Sequence, residues 1–570
     1  MRQLVRSGDF SVHAISGTHC VLLGMDATKA ACANLKGFAI GIQPDSGPVK
    51  WLRGFKFFKS IVPNPQPGER RPTNEHPIQD FVWGDYAAWP DREYRYVIRP
   101  LFGAPGSLQA GPELEVKIRT EPTDRGGHAI FFNRGAIPSQ KFADQFGNRG
   151  PADENDPGAA DVRWLSRGLL EGALAFIGQA RGASFELRVA AYEFSYRPIL
   201  DALLQAAGSG VKVKIIYEAG QIKEKGQLVD TSTTVGNREA IQAMGLATKP
   251  NITLIKRTKR AAIPHNKFIV LLDNGHPIEV WTGSTNFTAS GFLGQSNVGH
   301  WVRHEATAQS YSAFWEALLP DPVAKDLKAW CSLHTPNLGA GLPPSGITPL
   351  FSPRKDSKML AWYGEQLEGA KQVIMFTAAF GVTEKLGVHF DNDRDFLRQL
   401  LMEKKASDKV QPMLERDYDT QLALGTALNK EAISLGLDGH RLDEWFKKEE
   451  HFRKKGHIFY VHTKIMMIDP LTSDPLVFSG SANFSPNSLL SNDENMLLIR
   501  GDTGVADIYA TEFKRLFNHF YFRYIATKTA QEKKNKPSKV AYLDETDGWV
   551  RRYFDPKKPS CKERLLFRGS

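Results

Sequence analysis

Two segments of the chain carry one set of polar residues at one spacing. Residues 265–288 read HNKFIVLLDNGHPIEVWTGSTNFT, and residues 462–485 read HTKIMMIDPLTSDPLVFSGSANFS. In each, a histidine stands two residues before a lysine and 21 residues before an asparagine that closes a Gly-Ser-x-Asn group. An imidazole, an ammonium group and an amide suit a phosphate, because they supply a nucleophile, a fixed positive charge and a neutral donor. The candidate catalytic residues are His265, Lys267, Asn286, His462, Lys464 and Asn483.

The spacing also predicts how the chain presents these side chains. A histidine and a lysine two residues apart project from one face of a β-strand, and the apolar residues that follow form the buried body of that strand. A turn and a second strand then bring the Gly-Ser-x-Asn group back beside the lysine, where glycine permits a close backbone approach. Two copies that meet across a pseudo-twofold axis would supply both an attacking and a leaving-group histidine.

These motifs resemble the signature of the phospholipase D superfamily, and two copies in one chain resemble its two-repeat members. The resemblance covers roughly residues 160–525. It implies a phosphodiesterase or phosphatidyl transferase that needs neither a metal nor a cofactor. One histidine would attack phosphorus to form a phosphohistidine, while the other would protonate the leaving oxygen and then activate water.

The aspartates of the two copies do not match. Asp469 ends the run HTKIMMID, whereas Asp273 ends HNKFIVLLD and lies one position later. A slip of one residue reverses the facing of a strand residue, so Asp273 takes the place of Asp469 only if a bulge intervenes. The resemblance gives this aspartate a supporting role.

A second asymmetry bears on the roles of the histidines. Glu494 lies eleven residues after the asparagine of the second copy, and the same step in the first copy reaches Asn297. In superfamily members with a similar arrangement, the acid of the second half orients the histidine of the first. By this resemblance, which extends to tyrosyl-DNA phosphodiesterases, Glu494 holds His265 as the nucleophile and His462 is the general acid. The alternative is that Glu494 is an ordinary surface or capping residue. The remaining supporting candidates are Asn297, Ser284 and Ser481.

Basic residues precede both motifs and bear on the substrate. They are Lys256, Arg257, Lys259 and Arg260 before the first motif, and Arg453, Lys454 and Lys455 before the second. If both motifs meet at one site, these clusters would line its approach and bind the phosphates of a nucleic acid, which predicts a nuclease. The alternatives are solvated loops, a phospholipase or phosphatidyl transferase acting on lipid, or a catalytically weak nucleic-acid-binding protein.

The surrounding pattern predicts an α/β protein with two phospholipase D-like α/β/α repeats related by a pseudo-twofold axis, preceded by a β-sandwich-like domain. Short runs such as HCVLLGM and ELEVKIR predict strands over residues 1–125, similar to immunoglobulin or fibronectin III domains and a possible site for a protein partner. We expect linkers at 126–160 and 335–353, repeats at 161–334 and 354–530, and a basic tail at 531–570.

Alternating helix and strand patterns support these repeats. WLSRGLLEGALAFIGQA and PILDALLQAAGSG are helical by period, and the second lies between the strand-like runs FELRVAAYEF and VKVKIIYE, which predicts parallel strands. In the second repeat, KQVIMFTAAF reads as a strand and DFLRQLLMEKK as a helix.

Composition narrows the class of protein. The net charge is +10, which favours a polyanionic partner. Four cysteines without a CxxC pair argue for a reducing compartment and against a structural zinc site. The first residues have no apolar signal-peptide region, and no apolar run is long enough to span a membrane, so we expect a cytoplasmic protein.

Overall fold

The computed structural model shows how these elements are arranged. It describes residues 1–66, 69–134, 142, 145, 146, 150–259, 261–336, 341–425, 460–532 and 542–569.

The N-terminal region consists of short antiparallel strands. They are β1 (Arg2–Ser7), β2 (Phe10–Ser16), β3 (Val21–Ala27), β4 (Leu35–Ile42), β5 (Lys50–Trp51), β6 (Arg53–Gly54), β7 (Arg71–Pro72), β8 (Val82–Asp85), β9 (Glu93–Ala104), β10 (Ser107–Ala110) and β11 (Leu114–Arg119). One sheet has the order β1-β2-β3-β8, the other has the order β10-β9-β4-β5 with β11 also on β9, and β6 pairs with β7. Val12 and Leu23 of the first sheet share a core with Phe38 and Val116 of the second, so the predicted β-sandwich is confirmed.

The first repeat runs from β12 to the helix that follows β20. Its strands are β12 (His128–Phe132), β13 (Phe185–Ala191), β14 (Lys212–Glu218), β15 (Gln221–Glu224), β16 (Gln227–Asp230), β17 (Ile252–Arg257), β18 (Lys267–Asp273), β19 (His276–Gly283) and β20 (Val298–Val302). Its helices are α1 (Ala160–Ser166), α2 (Leu169–Gly178), α3 (Arg197–Gly208), α4 (Ser232–Ala243), α5 (Glu305–Leu318) and α6 (Ala324–Leu333), with a π-helical turn at Ser290–Gly294 and a 3₁₀ turn at Leu246–Thr248.

The second repeat and the C-terminal segment complete the chain. The strands are β21 (Gly346–Ser352), β22 (Val373–Ala378), β23 (Leu397–Met402), β24 (Thr420–Leu424), β25 (Ile465–Ile468), β26 (Leu476–Gly480) and β27 (Glu494–Arg500). The helices are α7 (Lys358–Glu368), α8 (Glu384–Gly387), α9 (Gln411–Arg416), α10 (Pro486–Leu490), α11 (Thr503–Glu532) and α12 (Pro559–Phe567), with 3₁₀ turns at Val388–Phe390 and Gly548–Tyr553.

The two repeats have one topology. The first sheet has the order β12-β20-β19-β18-β13-β14-β17, and the second has the order β21-β27-β26-β25-β22-β23-β24. In both, the last three strands are parallel and the others antiparallel. The predicted duplication and the parallel pairing of β13 with β14 are therefore confirmed. The motif strands β18 and β25 occupy the same central position in their sheets.

Two predicted helices differ from the structure. DFLRQLLMEKK contains the strand β23, whose six residues are all buried; a strand covered on both faces lacks alternation and cannot be told from a helix by its apolar content. The run WLSRGLLEGALAFIGQA is divided into α1 and α2, because Arg167 and Gly168 adopt left-handed backbone conformations between them.

The two predicted linkers each supply an outer strand. β12 lies within 126–160 and pairs with β20, and β21 lies within 335–353 and pairs with β27. The proline and glycine content of these segments indicated linkers rather than strands. Their strand partners lie far along the chain, so no local pattern predicted the pairing. Within the predicted basic tail, residues 542–569 are packed against the rest of the chain: Phe567 is buried, Arg564 forms an ion pair with Asp26, and Lys562 forms one with Asp419 of the second repeat.

The repeats share a core of aromatic side chains. Phe314 of α5 stacks on Phe351 of β21 with ring centroids 4.5 Å apart, and Tyr311 contacts the same ring edge-on. Across the same core, Phe132 of β12 packs against Tyr509 of α11. This packing sets the two motif strands against each other.

Candidate active site

The two predicted histidines lie at matching places in the two sheets. His265 stands two residues before Lys267, the first residue of β18, and His462 lies three residues before β25 begins. Their exposures are 5% and 6%, so both imidazoles are almost completely removed from bulk water. Neither histidine is itself within a strand, which corrects the expectation that the motif begins inside one.

Each histidine is held by a residue of the opposite repeat. His265 Nδ1 lies 2.9 Å from Glu494 Oε2 of the second repeat. His462 Nδ1 lies 2.8 Å from Asn297 Oδ1 of the first repeat. The crossed arrangement expected from the sequence is therefore present in the geometry. Because the side chain of Glu494 is fully buried, its contact with His265 is not that of a surface residue.

The hydrogen bonds of Asn297 determine which ring nitrogen of His462 carries the proton. Asn297 donates its Nδ2 hydrogen to the Gly291 carbonyl at 2.8 Å, so its Oδ1 is the atom that faces His462. Ser284 accepts a hydrogen bond from the Val298 amide and donates its own hydrogen to the same Oδ1. An amide oxygen only accepts, so Nδ1 of His462 carries a hydrogen and Nε2 holds the free lone pair.

Glu494 imposes the same tautomer on His265. Its Oε2 accepts from Nδ1 of His265, and its Oε1 accepts from Asn492 Nδ2 at 3.0 Å. Burial lowers the pKa of His265 from its ordinary value to about 4, although Glu494 acts in the opposite direction. Burial would raise the pKa of Glu494, but the adjacent His265 and Lys267 hold it below its usual range.

The two motif lysines are buried, and the charge of Lys267 acts on Lys464. Lys267 Nζ donates to the carbonyl oxygen of His265, and Lys464 Nζ to that of His462, both at 2.6 Å. Burial lowers the pKa of Lys267 to about 7. Burial, and then the charge of Lys267, lower the pKa of Lys464 well below its ordinary value. Burial and the charges of Lys464, Lys267 and His265 likewise lower the pKa of His462.

The Gly-Ser-x-Asn groups require glycine because the backbones of neighbouring strands approach closely. A Cβ atom at Gly283 would lie 2.2 Å from the Val298 carbonyl oxygen, and one at Gly480 would lie 2.3 Å from that of Asn495. Ser481 Oγ accepts from the amide of Asn495 at 3.0 Å, as Ser284 does from Val298. The two serines therefore fix the strands that carry Glu494 and Asn297.

The asparagines of the motifs differ in their partners. Asn286 donates its Nδ2 hydrogen to Glu193, whereas the Oδ1 atoms of Asn286 and Asn483 are buried and have no hydrogen-bond partner within the described part of the chain. Glu193 is a site residue that sequence reasoning missed. Its signal was an acid two residues after β13, the strand that pairs with β18 and places Ala191 level with Lys267.

The two aspartates have different roles. Asp469 accepts hydrogen bonds from the backbone amides of residues 371–373 at 2.7–2.9 Å, so it fixes the start of β22. Asp273 lies at the far end of β18 from Lys267, opposite His276, and does not take this role. The register shift in this hairpin adds a residue to β19 rather than to β18, which leaves the facing of Asp273 unchanged.

The basic clusters are only partly as predicted. Lys256 and Lys259 are exposed, but Arg257 is fully buried and forms ion pairs with Asp321 and with Asp493 of the second repeat. Arg257 is therefore not available to bind substrate phosphates. It is a buried cation whose charge is balanced by these two aspartates. Arg260, Arg453, Lys454 and Lys455 lie outside the described residues.

Three successive residues of the second repeat are held by the first repeat. Asp493 binds Arg257, Glu494 binds His265, and Asn495 donates to Asn266 Oδ1 at 2.8 Å. Thr282 and Tyr311 also donate to the side-chain oxygen of Asn495. This segment joins the two halves of the site.

Residues 175–319 and 366–517 match the family model described as the PLD-like domain of cardiolipin synthase, and together these segments make up just over half of the chain. The chain belongs to the phospholipase D superfamily. Members of this superfamily are phosphodiesterases, and this protein is an enzyme of that class.

Solved structures show further similarities. Phosphatidylserine synthase from Haemophilus influenzae Rd KW20 is 12% identical with a TM-score of 0.40, over 65% of this chain and 91% of that one. Nuc, a phospholipase D family member from Salmonella typhimurium, is 26% identical with a TM-score of 0.20, over 26% and 83%. Polyphosphate kinase from Porphyromonas gingivalis is 14% identical with a TM-score of 0.36, over 59% of this chain; the chain spans about half, 46%, of that protein. None of these similarities bears on the substrate of this chain.

No curated protein sequence matches the chain. Among the described helices, none combines the length and the apolar character that crossing a bilayer requires.

Proposed function

We propose that this phospholipase D-superfamily enzyme is a nuclease, which cleaves nucleic-acid phosphodiesters through a covalent phosphohistidine. The observation that carries the mechanism is the crossed pairing of His265 with Glu494 and of His462 with Asn297. When neutral, both rings carry their proton on Nδ1, so the Nε2 of His265 is free to attack phosphorus and the Nε2 of His462 is free to take up the proton that it donates.

His265 is the nucleophile in this mechanism. Its Nε2 forms a bond to phosphorus while the bond from phosphorus to the leaving oxygen breaks. The phosphohistidine ring carries a positive charge, and the buried carboxylate of Glu494 beside Nδ1 stabilises that charge better than a neutral amide would.

His462 is the general acid. Its partner Asn297 is neutral, so protonated His462 is a stronger acid than it would be beside a carboxylate and transfers its Nε2 proton readily to the leaving oxygen. Burial, and then the charges of Lys464 and Lys267, lower the pKa of His462 and so disfavour its protonation. A bound phosphodiester anion offsets those charges and thereby favours the proton that His462 must donate.

The second half of the reaction reverses these roles. Neutral His462 removes a proton from water as the water oxygen bonds to phosphorus, and the bond from phosphorus to His265 Nε2 breaks. The products are an alcohol and a phosphomonoester. Throughout, Lys267 and Lys464 supply positive charge and the amides of Asn286 and Asn483 supply hydrogen-bond donors to the non-bridging oxygens.

Charge and strand register support a nucleic-acid substrate. The chain carries a net charge of +10. In the register of the first sheet, Lys267 of β18 pairs with Ala191 of β13, Ala191 pairs with Tyr217 of β14, and Tyr217 pairs with Lys256 of β17. Exposed Lys256 is thus three strands from the reaction centre along one line of the sheet, about 14 Å at the usual spacing of strands. Exposed Lys259 follows it, and cations at this distance suit neighbouring phosphates of a polynucleotide.

The test compares substrates under chelation. Purified protein is incubated in EDTA with labelled single-stranded DNA, with RNA, with plasmid, and separately with phosphatidylcholine vesicles; the His462→Ala variant is the control. We expect cleavage of nucleic acid by the wild type only. Choline release without nucleic-acid cleavage would replace the proposal by a lipid-cleaving activity, and binding of DNA without any turnover would leave a binding protein.

A paired variant separates substrate binding from chemistry. The Lys256→Ala, Lys259→Ala double variant should raise KM for an oligonucleotide and flatten its dependence on salt, because counterion release scales with the number of phosphate contacts. Hydrolysis of bis(4-nitrophenyl) phosphate, which is too small to reach these lysines, should be unchanged. Equal effects on both substrates would refute the role of the two lysines.

A further inference from the structure

Glu193 is a carboxylate at the reaction centre that belongs to neither motif. It accepts a hydrogen bond from Asn286 Nδ2, and the positive charges of both Lys267 and Lys464 act on it. Its backbone carbonyl accepts from the amide of Phe287 at 3.1 Å, which ties its loop to the Gly-Ser-x-Asn segment. Glu193 therefore faces the place where the proposed mechanism puts the substrate phosphate.

The second repeat has no carboxylate at this position. Phe376 of β22 pairs with Met466 of β25, so Ala378 is level with Lys464 in the way that Ala191 is level with Lys267. The residue two positions further is Phe380, which is 52% exposed. The duplicated fold alone does not require an acid here, so Glu193 is an asymmetric addition to the site.

Glu193 alters the charge balance of the pocket. Lys267 and Lys464 contribute two positive charges when protonated, and Glu494 contributes one negative charge. Burial lowers the pKa of His265 to about 4 and the pKa of His462 well below its ordinary value, so neither ring is counted as a positive charge here. When both lysines are protonated, the pocket without Glu193 would carry one net positive charge, and with ionised Glu193 it carries none; deprotonation of Lys267 above about pH 7 makes each sum one unit more negative.

We infer that Glu193 is a specificity-determining residue, which makes the site favour a singly charged phosphodiester over a doubly charged phosphomonoester. This inference rests on the proposed function, in which the diester is the substrate and the monoester the product. A diester retains one negative charge, whereas a monoester carries two above its second pKa of about 6. Repulsion by a nearby carboxylate acts twice as strongly on the dianion, so Glu193 promotes product release.

Glu193→Gln isolates the charge from the geometry. Glutamine retains a side-chain oxygen that accepts from Asn286 Nδ2, so the orientation of that amide is preserved while the negative charge is lost. Glu193→Ala removes both and serves as the second variant. Glu279→Gln is the matched control, because Glu279 is a partly buried carboxylate of the same sheet whose partners, Gln179, Trp301 and the cation Arg303, lie outside the site.

The experiment measures the dissociation constants of dimethyl phosphate and methyl phosphate by calorimetry at pH 8 and pH 5. Wild type and variant are compared at the same pH, and the lysines are present in both proteins, so the change in the ratio of the two constants reports the charge removed at residue 193. At pH 8 we expect Glu193→Gln to shift this ratio about tenfold toward methyl phosphate, the effect of one extra ligand charge near one removed protein charge. At pH 5 the shift should disappear, because methyl phosphate is mostly a monoanion there and because burial raises the pKa of Glu193, which favours the uncharged carboxyl at low pH.

The outcomes distinguish this inference from the proposed function. If wild-type protein cleaves diesters but Glu193→Gln leaves the ratio unchanged at pH 8, or shifts it equally at pH 5, the inference is refuted and the proposed function stands. If Glu279→Gln produces the same shift, the effect is not specific to the site and the inference is again refuted. If wild-type protein neither cleaves a diester nor binds either anion, the proposed function itself fails.

Discussion

Replacement of Glu494 by glutamine tests the crossed pairing most directly. Asn492 donates a hydrogen bond to Glu494 Oε1, and His265 Nδ1 faces Oε2 at 2.9 Å. In Glu494→Gln the amide oxygen keeps the bond from Asn492, so the NH2 group faces the histidine. Nδ1 of His265 must then accept, and its proton moves to Nε2, which blocks the nitrogen that attacks phosphorus.

The expected loss is large. A unit charge removed about 4 Å from a developing cation at an effective dielectric constant near 20 costs about 4 kcal/mol, which is about a thousandfold in rate. The wrong tautomer of His265 adds to this loss. When a carboxylate beside a catalytic histidine is changed to an amide in a comparable site, the rate falls about 10⁴-fold. We therefore expect kcat for bis(4-nitrophenyl) phosphate to fall between about 10³- and 10⁴-fold, with little change in KM.

The assay needs a check on folding and a check on the step affected. Glu494→Asp keeps the charge and should retain more activity than Glu494→Gln, while thermal denaturation shows whether both variants fold. Rapid-quench trapping with a labelled diester should show less phosphohistidine in Glu494→Gln. A Glu494→Gln protein that stays within tenfold of the wild-type kcat, or that accumulates the phosphohistidine, would refute the assignment of His265 as the nucleophile.

Three further predictions follow from the same geometry. Arg257→Met should destabilise the protein by about 3–5 kcal/mol in chemical denaturation, because it removes the buried guanidinium that pairs with the carboxylate of Asp493 across the two repeats; Arg257→Met with Asp493→Asn should recover part of this loss, and no recovery would contradict the pairing. The affinity for dimethyl phosphate should fall as pH rises above about 7, since the Lys267 ammonium that attracts the anion deprotonates there; Lys267→Met should abolish that pH dependence, and its persistence would assign it to another group. Asn297→Asp should raise the pKa of His462, so the loss of kcat at high pH should move to higher pH; an unchanged profile would show that His462 is not the proton donor.

Local spacing was enough to predict the residues that the structure brings together at the candidate site. The identical offsets in residues 265–288 and 462–485 predicted two strand-associated motifs, and the glycines predicted close backbone contacts that Gly283 and Gly480 make. The contact of Glu494 with His265 was implied by the resemblance to the phospholipase D superfamily, whereas the contact of Asn297 with His462 came from the structure. The offsets and the close-approach glycines depend on chain-local periodicity, so they can be read from the amino-acid order.

Tertiary structure decided the features that depend on distant partners. Arg257 resembled its basic neighbours in sequence, and only the approach of Asp321 and Asp493 made it an interior residue. β23 has helical composition, yet it is buried on both faces between β22 and β24. Glu193 entered the site because β13 pairs with β18. In each case the deciding contact joins residues far apart in the chain, and no local pattern encodes which of them will meet.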